Sequence, residues 1–354
     1  MRISIFLILV LILHFHVTAQ PPQGYYNEAA GLTGTDLQEA LHEIIKDHQV
    51  QTYGSLYDHF ESTDRKPNLS VWDMYSDVPG GTPPYSFYYN SGDECGNYNG
   101  EGQCYNREHS FPQSWFGGSV LPMHTDLFHL YPTDGYVNNR RSNYPFGEVS
   151  NATWTSQNGS KVGNNASPGY NGLVFEPIDA YKGDFARSCF YMSVRYYEQD
   201  NSWPGSNMTN GSQLKPWALA LMMEWHENDP VSAKETSRNN AIYTIQENRN
   251  PFIDHPEYIE AIWGDPSGII AQDKNTTLSV YPIPVVDYCQ FVFSYPIEGN
   301  ISVDVYNQLG QQINSTYSFA EGTITLETAN LPKGFYLVTI GLDSQSPLFV
   351  KILK

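Results

Sequence analysis

The stretch CYNREHSFPQSWFGG, residues 104–118, decides how this chain is read. It sets Glu108 beside His109, behind Cys104 and Arg107, and then runs into an aromatic, proline-punctuated loop. Adjacent residues on a regular strand point to opposite faces. Glu108 and His109 therefore serve one site only where the strand ends, bends or bulges, and Phe111-Pro112 suits such a break.

Immediately downstream, HTDLFHLYPTDGYVNNRRSNYPFGEV (124–149) is dense in groups that ligate metals or grip phosphates. Thr133 or Asp134 suits an N-cap, residues 135–142 give two turns of helix, and Pro145 stops it. Asn138 and Arg141 then share a face at i and i+3. A strand ending in Glu-His, followed by this short Asn/Arg helix, makes a β-β-α hook. Such a hook suits phosphodiester hydrolysis. A hard divalent ion takes oxygen ligands and keeps several waters, so Glu108 and Asn138 are the candidate ligands. The ion expected is Mg²⁺, with Ca²⁺ or Mn²⁺ as alternatives. It would polarise the phosphate and stabilise the leaving alkoxide. His109, with a pKa suited to deprotonating water, is the candidate general base. Arg140 and Arg141 are the candidate donors of fixed positive charge, and the sequence leaves open which one acts.

Outward from this core, residues 20–275 predict one helix-rich α+β domain. Thr35 or Asp36 is the expected cap of a first helix whose Leu37, Leu41, Ile44 and Ile45 form a stripe. SVWDMYSD (70–77) has strand composition, and 79–103 and 151–175 read as loop. Helical patterns return at 184–199, 215–229 and 232–249, the last with Ser232 as cap. After residue 275, short β-branched and aromatic runs alternate with turn residues, as in a small all-β sandwich over 276–354.

The chain of 354 residues carries 38 acidic and 19 basic side chains, a net charge of −19. That excludes broad electrostatic attraction to nucleic acid, though not a local site built on a metal and a few arginines. Residues 1–19, with Arg2, an apolar run and Val17-Thr18-Ala19, read as a secretory signal peptide. The run is too short to span a bilayer. In an oxidising compartment Cys95 and Cys104, flanking a polar Gly-rich loop, suit a disulfide. The alternative is two free thiols. Cys189 and Cys289 carry no assignment.

Two resemblances refine this reading. NREHSFPQSW, DLFHLYPTDGYVNNRRSNYPFGEV, FEPIDAYKGDFARSCFYM and RNNAIYTIQENRNPFIDHPEY resemble the bacterial endonuclease I family of His-Me finger (ββα-metal) nucleases, over roughly 35–265. The resemblance implies Mg²⁺-dependent, largely sequence-nonspecific cleavage of DNA and often RNA, leaving a 5′-phosphate. It implies Glu108 and Asn138 as metal ligands and His109 as base. It departs at Phe128, where relatives are expected to carry a polar residue. LSVYPIPVVD, VYNQLGQQI and LPKGFYLVTI resemble the C-terminal sorting domain of the type IX secretion system, with Ile283-Pro284 as a departure. That implies an export tag that is cut off or used for surface attachment, with the secretion machinery as its partner. The chain is then expected to be secreted or on the cell surface, a monomer with no membrane span, and to take nucleic acid as substrate.

Other readings stay open here. His124, Asp126 and His129 could bind zinc, although the spacing is not that of a common zinc motif; Asp126 and His129 otherwise orient the first ligands. Arg187, Arg238 and Arg249, with Asn240 and Asn250, are candidate phosphate contacts, or else they cap and brace helices. The rival function is a non-catalytic surface adhesion or glycan-binding protein, suggested by the acidic balance and the C-terminal sandwich.

Overall fold

A computed structural model describes residues 21–264, 269–270, 278–281, 285–293, 301–307, 311–320, 322–342 and 348–354. The signal-peptide expectation on 1–19 lies outside them, as does the expected boundary near 275. The chain divides into two compact units, the first ending at Ile259 and the second beginning at Glu260.

In the first unit, α1 (Gly34–Ile45) and α2 (Leu56–Thr63) precede a long irregular segment. Leu37, Leu41 and Ile45 are buried at helical spacing on α1, with Ile44 half-buried beside them. The helix starts earlier than expected, with Thr33 as its cap residue and no side-chain cap bond, so Thr35 and Asp36 lie inside it. Residues 70–77 form no strand. Ser70 and Val71 each make an isolated bridge, and Asp73 then turns the chain by accepting the Tyr75 N–H at 2.8 Å. An Asx turn of this kind competes with the ladder that Val71 and Trp72 favour.

Next come β1 (Tyr105–His109), β2 (Leu130–Asp134) and α3 (Gly135–Arg141). β1 and β2 pair antiparallel without a register shift, from Tyr105–Asp134 to His109–Leu130. Asp134 ends β2 and caps α3 by accepting the Val137 N–H at 2.8 Å. Gly135 is required there, because a Cβ would lie 2.7 Å from the Tyr98 ring. Ser142, at φ 55°, ends the helix. A second sheet, β3 (Val149–Thr155), β4 (Lys161–Asn165) and β5 (Leu173–Glu176), has β3 at its edge and replaces the loop expected over 151–175, because ladder pairing overrides the turn-rich Asn/Gly/Ser composition.

Four further helices complete the unit: α4 (Lys182–Arg195), α5 (Pro216–Asn228), α6 (Ala233–Gln246) and the short α7 (Pro251–Asp254). α4 is the central one, buried at every residue, which is why its sequence lacks a clean amphipathic stripe. Ser232 caps α6 in a full capping box with Glu235.

A disulfide joins Cys95 to Cys104, with Cα atoms 5.6 Å apart and a separation of nine residues. Cys104 leads directly into β1, and its carbonyl accepts the Gly135 N–H at 3.0 Å. Closing so short a loop stabilises by about 3 kcal/mol in the chain-entropy model. Replacing both cysteines by serine is therefore expected to lower the melting temperature by about 6–12 °C. A thermal melt without and with reductant checks this, and an unchanged midpoint would show that the loop is fixed without the bond.

A short helix, Tyr258–Trp263, spans the boundary, and the regular elements described after it are all strands. One antiparallel sheet orders Tyr317–Ala320, Thr323–Glu327, Tyr288–Phe293 and Leu278–Tyr281. The other orders Gln312–Ile313, Ile301–Asn307, Phe335–Leu342, Leu348–Leu353 and Ile269–Ile270. Both sheets contribute to one core, with Phe291, Ile324 and Leu326 from the first and Val305, Val338 and Val350 from the second. Alternate residues of Phe335–Leu342 are buried, the period expected of a strand with one face inward.

Candidate active site

The uninterrupted β1–β2 register sends Glu108 and His109 to opposite faces of the ribbon. Their partners divide accordingly. On the Glu108 face lies α3: Asn138 Nδ2 donates to Asn106 Oδ1 at 2.8 Å, and Arg141 Nη1 lies 3.5 Å from Glu108 Oε1. Asn106 and Glu108 are two apart on the strand and Asn138 and Arg141 three apart on the helix, so α3 lies along this face. On the His109 face lie His124, His129, Tyr53 and Gln113. The bend between Glu108 and His109 that a shared site requires is not in the ladder. Backbone pairing continues one residue further, with Ser110 N–H donating to His129 O at 2.9 Å.

Glu108 is only 2 % exposed and accepts one hydrogen bond, from Tyr75 Oη at 2.9 Å. Burial pushes its pKa up to about 7, opposed by Arg141 and by the Tyr75 bond. It is a buried oxygen donor whose burial Arg141 does not fully offset, and a hard cation would offset the rest. Asn138 complements it: its amide nitrogen is committed to Asn106, which leaves the amide oxygen as an acceptor. These two residues fit a divalent ion that also keeps water ligands.

His109 is 5 % exposed. Its Nε2 lies 3.1 Å from the His124 carbonyl, which can only accept, so Nε2 carries the proton. Nδ1 is then the lone-pair nitrogen and accepts from Gln113 Nε2 at 3.2 Å. Burial, and then the neighbouring His129 ring, hold its pKa well below the usual imidazole value. The His124 ring stacks on His109 at 5.3 Å and on Tyr53 at 4.3 Å, and the Arg107 guanidinium lies over the Tyr53 ring, 3.7 Å from its centre. The result is a neutral imidazole of defined tautomer.

The two arginines separate by burial. Arg141 is 1 % exposed and donates to the carbonyls of His109 at 3.2 Å and Ser110 at 2.6 Å, clamping the end of β1. Arg140 is exposed and lies over the Tyr136 and Trp154 rings. Asp126 is buried and accepts from Tyr191 and Tyr196 at 2.8 and 2.9 Å and from Gln246 at 3.1 Å. Burial alone would raise its pKa, but His48, His129 and these bonds hold it low. It anchors the turn before β2 and does not touch Glu108 or His109. His129 Nε2 donates to Met123 O at 2.7 Å, and its ring lies 5.5 Å from His109. Among the described residues no three His, Cys, Asp or Glu side chains converge on a point, so the zinc reading of His124, Asp126 and His129 is set aside.

Arg187, Arg238 and Arg249 are buried and face carboxylates, not solvent. Arg187 forks onto Glu235 at 2.5 and 2.9 Å, and Arg249 onto Asp254 at 2.6 and 2.7 Å. Arg238 pairs with Asp64 at 2.8 Å and donates to the carbonyls of Leu127 and Leu130. Asn240 and Asn250 join these braces. A buried guanidinium needs a fixed counter-charge, and the fold supplies one to each. All three are corrected from phosphate contacts to interior braces, and Arg238 fixes the entry to β2.

Sequence reasoning missed Tyr75, Asn106 and Gln113. Asn106 carried a usable signal, since it sits two residues before Glu108 on the same face. Tyr75 lies in the stretch misread as strand. Its neighbour Asp73 is buried, and burial, with the Asp134 charge, raises its pKa to about 7. A folded-state pKa above the unfolded one means that stability falls as pH rises from about 4 to about 7. Asp73→Asn keeps the acceptor for Tyr75 N–H and is expected to flatten that decline by up to about 4 kcal/mol. Melting curves between pH 4 and 8 test it, and a slope as steep as wild type would exclude Asp73 as its source.

Comparison with known proteins adds independent findings. Residues 33–257 match the family model described as Endonuclease I, and residues 279–353 match the Secretion system C-terminal sorting domain. The chain is 36 % identical over 248 residues to an extracellular ribonuclease of Bacillus amyloliquefaciens, covering 68 % of this chain and 78 % of that protein. It is 35 % identical over 250 residues to the extracellular ribonuclease of Bacillus subtilis strain 168, with the same coverage. An Endonuclease-1 of Buchnera aphidicola subsp. Baizongia pistaciae is 29 % identical over 129 residues, covering 36 % of this chain and 46 % of that protein. The sorting domain and the extracellular relatives support export from the cell, and no described helix is long and apolar enough to cross a membrane.

Proposed function

The chain belongs to the endonuclease I family and is a nuclease, and from that premise we propose that it is a secreted, metal-dependent endonuclease hydrolysing RNA and DNA with little sequence preference. The names of two relatives, both extracellular ribonucleases, support RNA as a substrate, and DNA is what the resemblance to the endonuclease I family implies. Family membership displaces the adhesion reading.

The observation that carries the mechanism is the tautomer of His109. With Nε2 donating to the His124 carbonyl, Nδ1 is the atom that takes the proton of the attacking water. Burial keeps the ring neutral and ready to accept. Glu108 and Asn138 would hold a divalent ion, Mg²⁺ by preference, which supplies Lewis-acid polarisation of the phosphate and stabilises the leaving oxygen. Arg141 holds the strand end that presents both residues, while Arg140, being exposed, is the arginine placed to meet a phosphate. This assignment corresponds to a ββα-metal site formed by β1, β2 and α3, with 5′-phosphate products.

Because Glu108 and His109 leave opposite faces, one phosphate meets both only at the end of β1, where the Ser110–His129 bond would open. The direct experiment is cleavage of plasmid DNA and of RNA by the wild type and His109→Ala, with and without chelator. Metal-independent cleavage would overturn the proposal.

A further inference from the structure

α3 and β3 carry no acidic residue, in a chain where acids outnumber bases two to one. Arg141 is buried and Lys161 is paired with Glu176 at 3.1 Å, so Arg140 is the exposed cation that these two elements present. A polyanion approaches where local repulsion is weakest. β3 is an edge strand whose Ser150 to Thr153 are exposed and uncharged.

Three side chains meet on this surface. Tyr136 and Arg140 stand one turn apart on α3, and Trp154 projects from β3. The guanidinium carbon of Arg140 lies 5.1 Å from the Tyr136 ring centre and 5.7 Å from that of Trp154. Its Nε and Nη2 donate to Tyr136 Oη at 3.1 and 2.7 Å, and the two rings lie 6.3 Å apart at 65°. Both rings are half-exposed and Arg140 is exposed. The cation is therefore held by a phenol and two rings while staying exposed. Asn138 lies on the same short helix, two residues from each, and so faces β1 on the side away from this cluster.

We propose that Tyr136, Arg140 and Trp154 form a base-stacking subsite that seats single-stranded nucleic acid on the β3 side of α3, flanking the site on its other side. The proposal rests on the nuclease reading above. Arg140 takes a phosphate away from the cleaved one, and the ring of Trp154 takes an unpaired base. An aromatic face accepts any base, which agrees with cleavage of low sequence preference. A base inside a duplex has no free face to offer, so single strands are favoured over duplex.

The test is the affinity of the full chain for a fluorescent single-stranded 12-mer in chelator, read by anisotropy, together with steady-state cleavage after metal is restored. Trp154→Ala is expected to weaken binding about tenfold and to raise KM by a similar factor with kcat nearly unchanged. Trp154→Phe should recover most of the affinity, and a duplex of the same sequence should show little difference between variants. Unchanged single-strand affinity in Trp154→Ala, or an equal loss on duplex, overturns the subsite. A wild type that binds the 12-mer yet cleaves nothing in any divalent metal would instead overturn the nuclease mechanism, because binding in chelator is read separately from chemistry.

Discussion

His109→Ala is expected to lower the cleavage rate about 100- to 10,000-fold on RNA and on DNA, the range for loss of a positioned general base. The fall should lie in kcat. The argument runs through three contacts. The His124 carbonyl fixes the proton on Nε2, Gln113 marks Nδ1 as the accepting nitrogen, and burial holds the ring neutral. The fold should survive, because Arg141 holds the end of β1 through the backbone carbonyls of residues 109 and 110. Initial rates at saturating substrate, with a melting curve for each variant, check the expectation. A folded His109→Ala that cleaves at the wild-type rate would remove His109 from the chemistry.

Glu108→Gln is expected to be comparably damaging, with a different signature. The change leaves an oxygen that can accept from Tyr75 but removes the charge that a divalent ion needs. Activity should fall by at least about 100-fold at low metal concentration and recover in part as Mg²⁺ is raised. Chelation of the wild type should abolish cleavage, and readdition of Mg²⁺ should restore it. Glu108 is also the carboxylate 3.5 Å from the buried Arg141, so the variant loses a counter-charge as well, and a melting curve separates loss of fold from loss of metal binding. A folded Glu108→Gln with wild-type activity at low Mg²⁺ would exclude Glu108 as a metal ligand.

These expectations differ in how far they could be read without coordinates. Local chemistry was legible. Asp134 as cap of α3, Ser232 as cap of α6 and the alternation of the C-terminal strands all depend on residues within a few positions of one another. The residue types of the site were legible for the same reason, since Glu108-His109 and Asn138 lie within one hairpin and its following helix. The irregular turn at 70–77 was not, because strand propensity there lost to one side-chain hydrogen bond at Asp73.

By itself, the sequence determined the main helices, the short Asn/Arg helix after the Glu-His strand and the β-rich C-terminal strands, but not α2 or the β3–β5 sheet in the stretch that reads as loop. Periodicity and capping are written in near neighbours. Tertiary structure decided everything that depends on burial. It made Arg140 the exposed arginine and Arg141 the clamp, turned Arg187, Arg238 and Arg249 inward, set the His109 tautomer and parted Glu108 from His109. The physical reason is that a charged side chain's role depends on what opposes it, and here the opposing groups are remote in the chain: Asp64 for Arg238, Glu235 for Arg187 and the His124 carbonyl for His109. No spacing rule reaches across such separations.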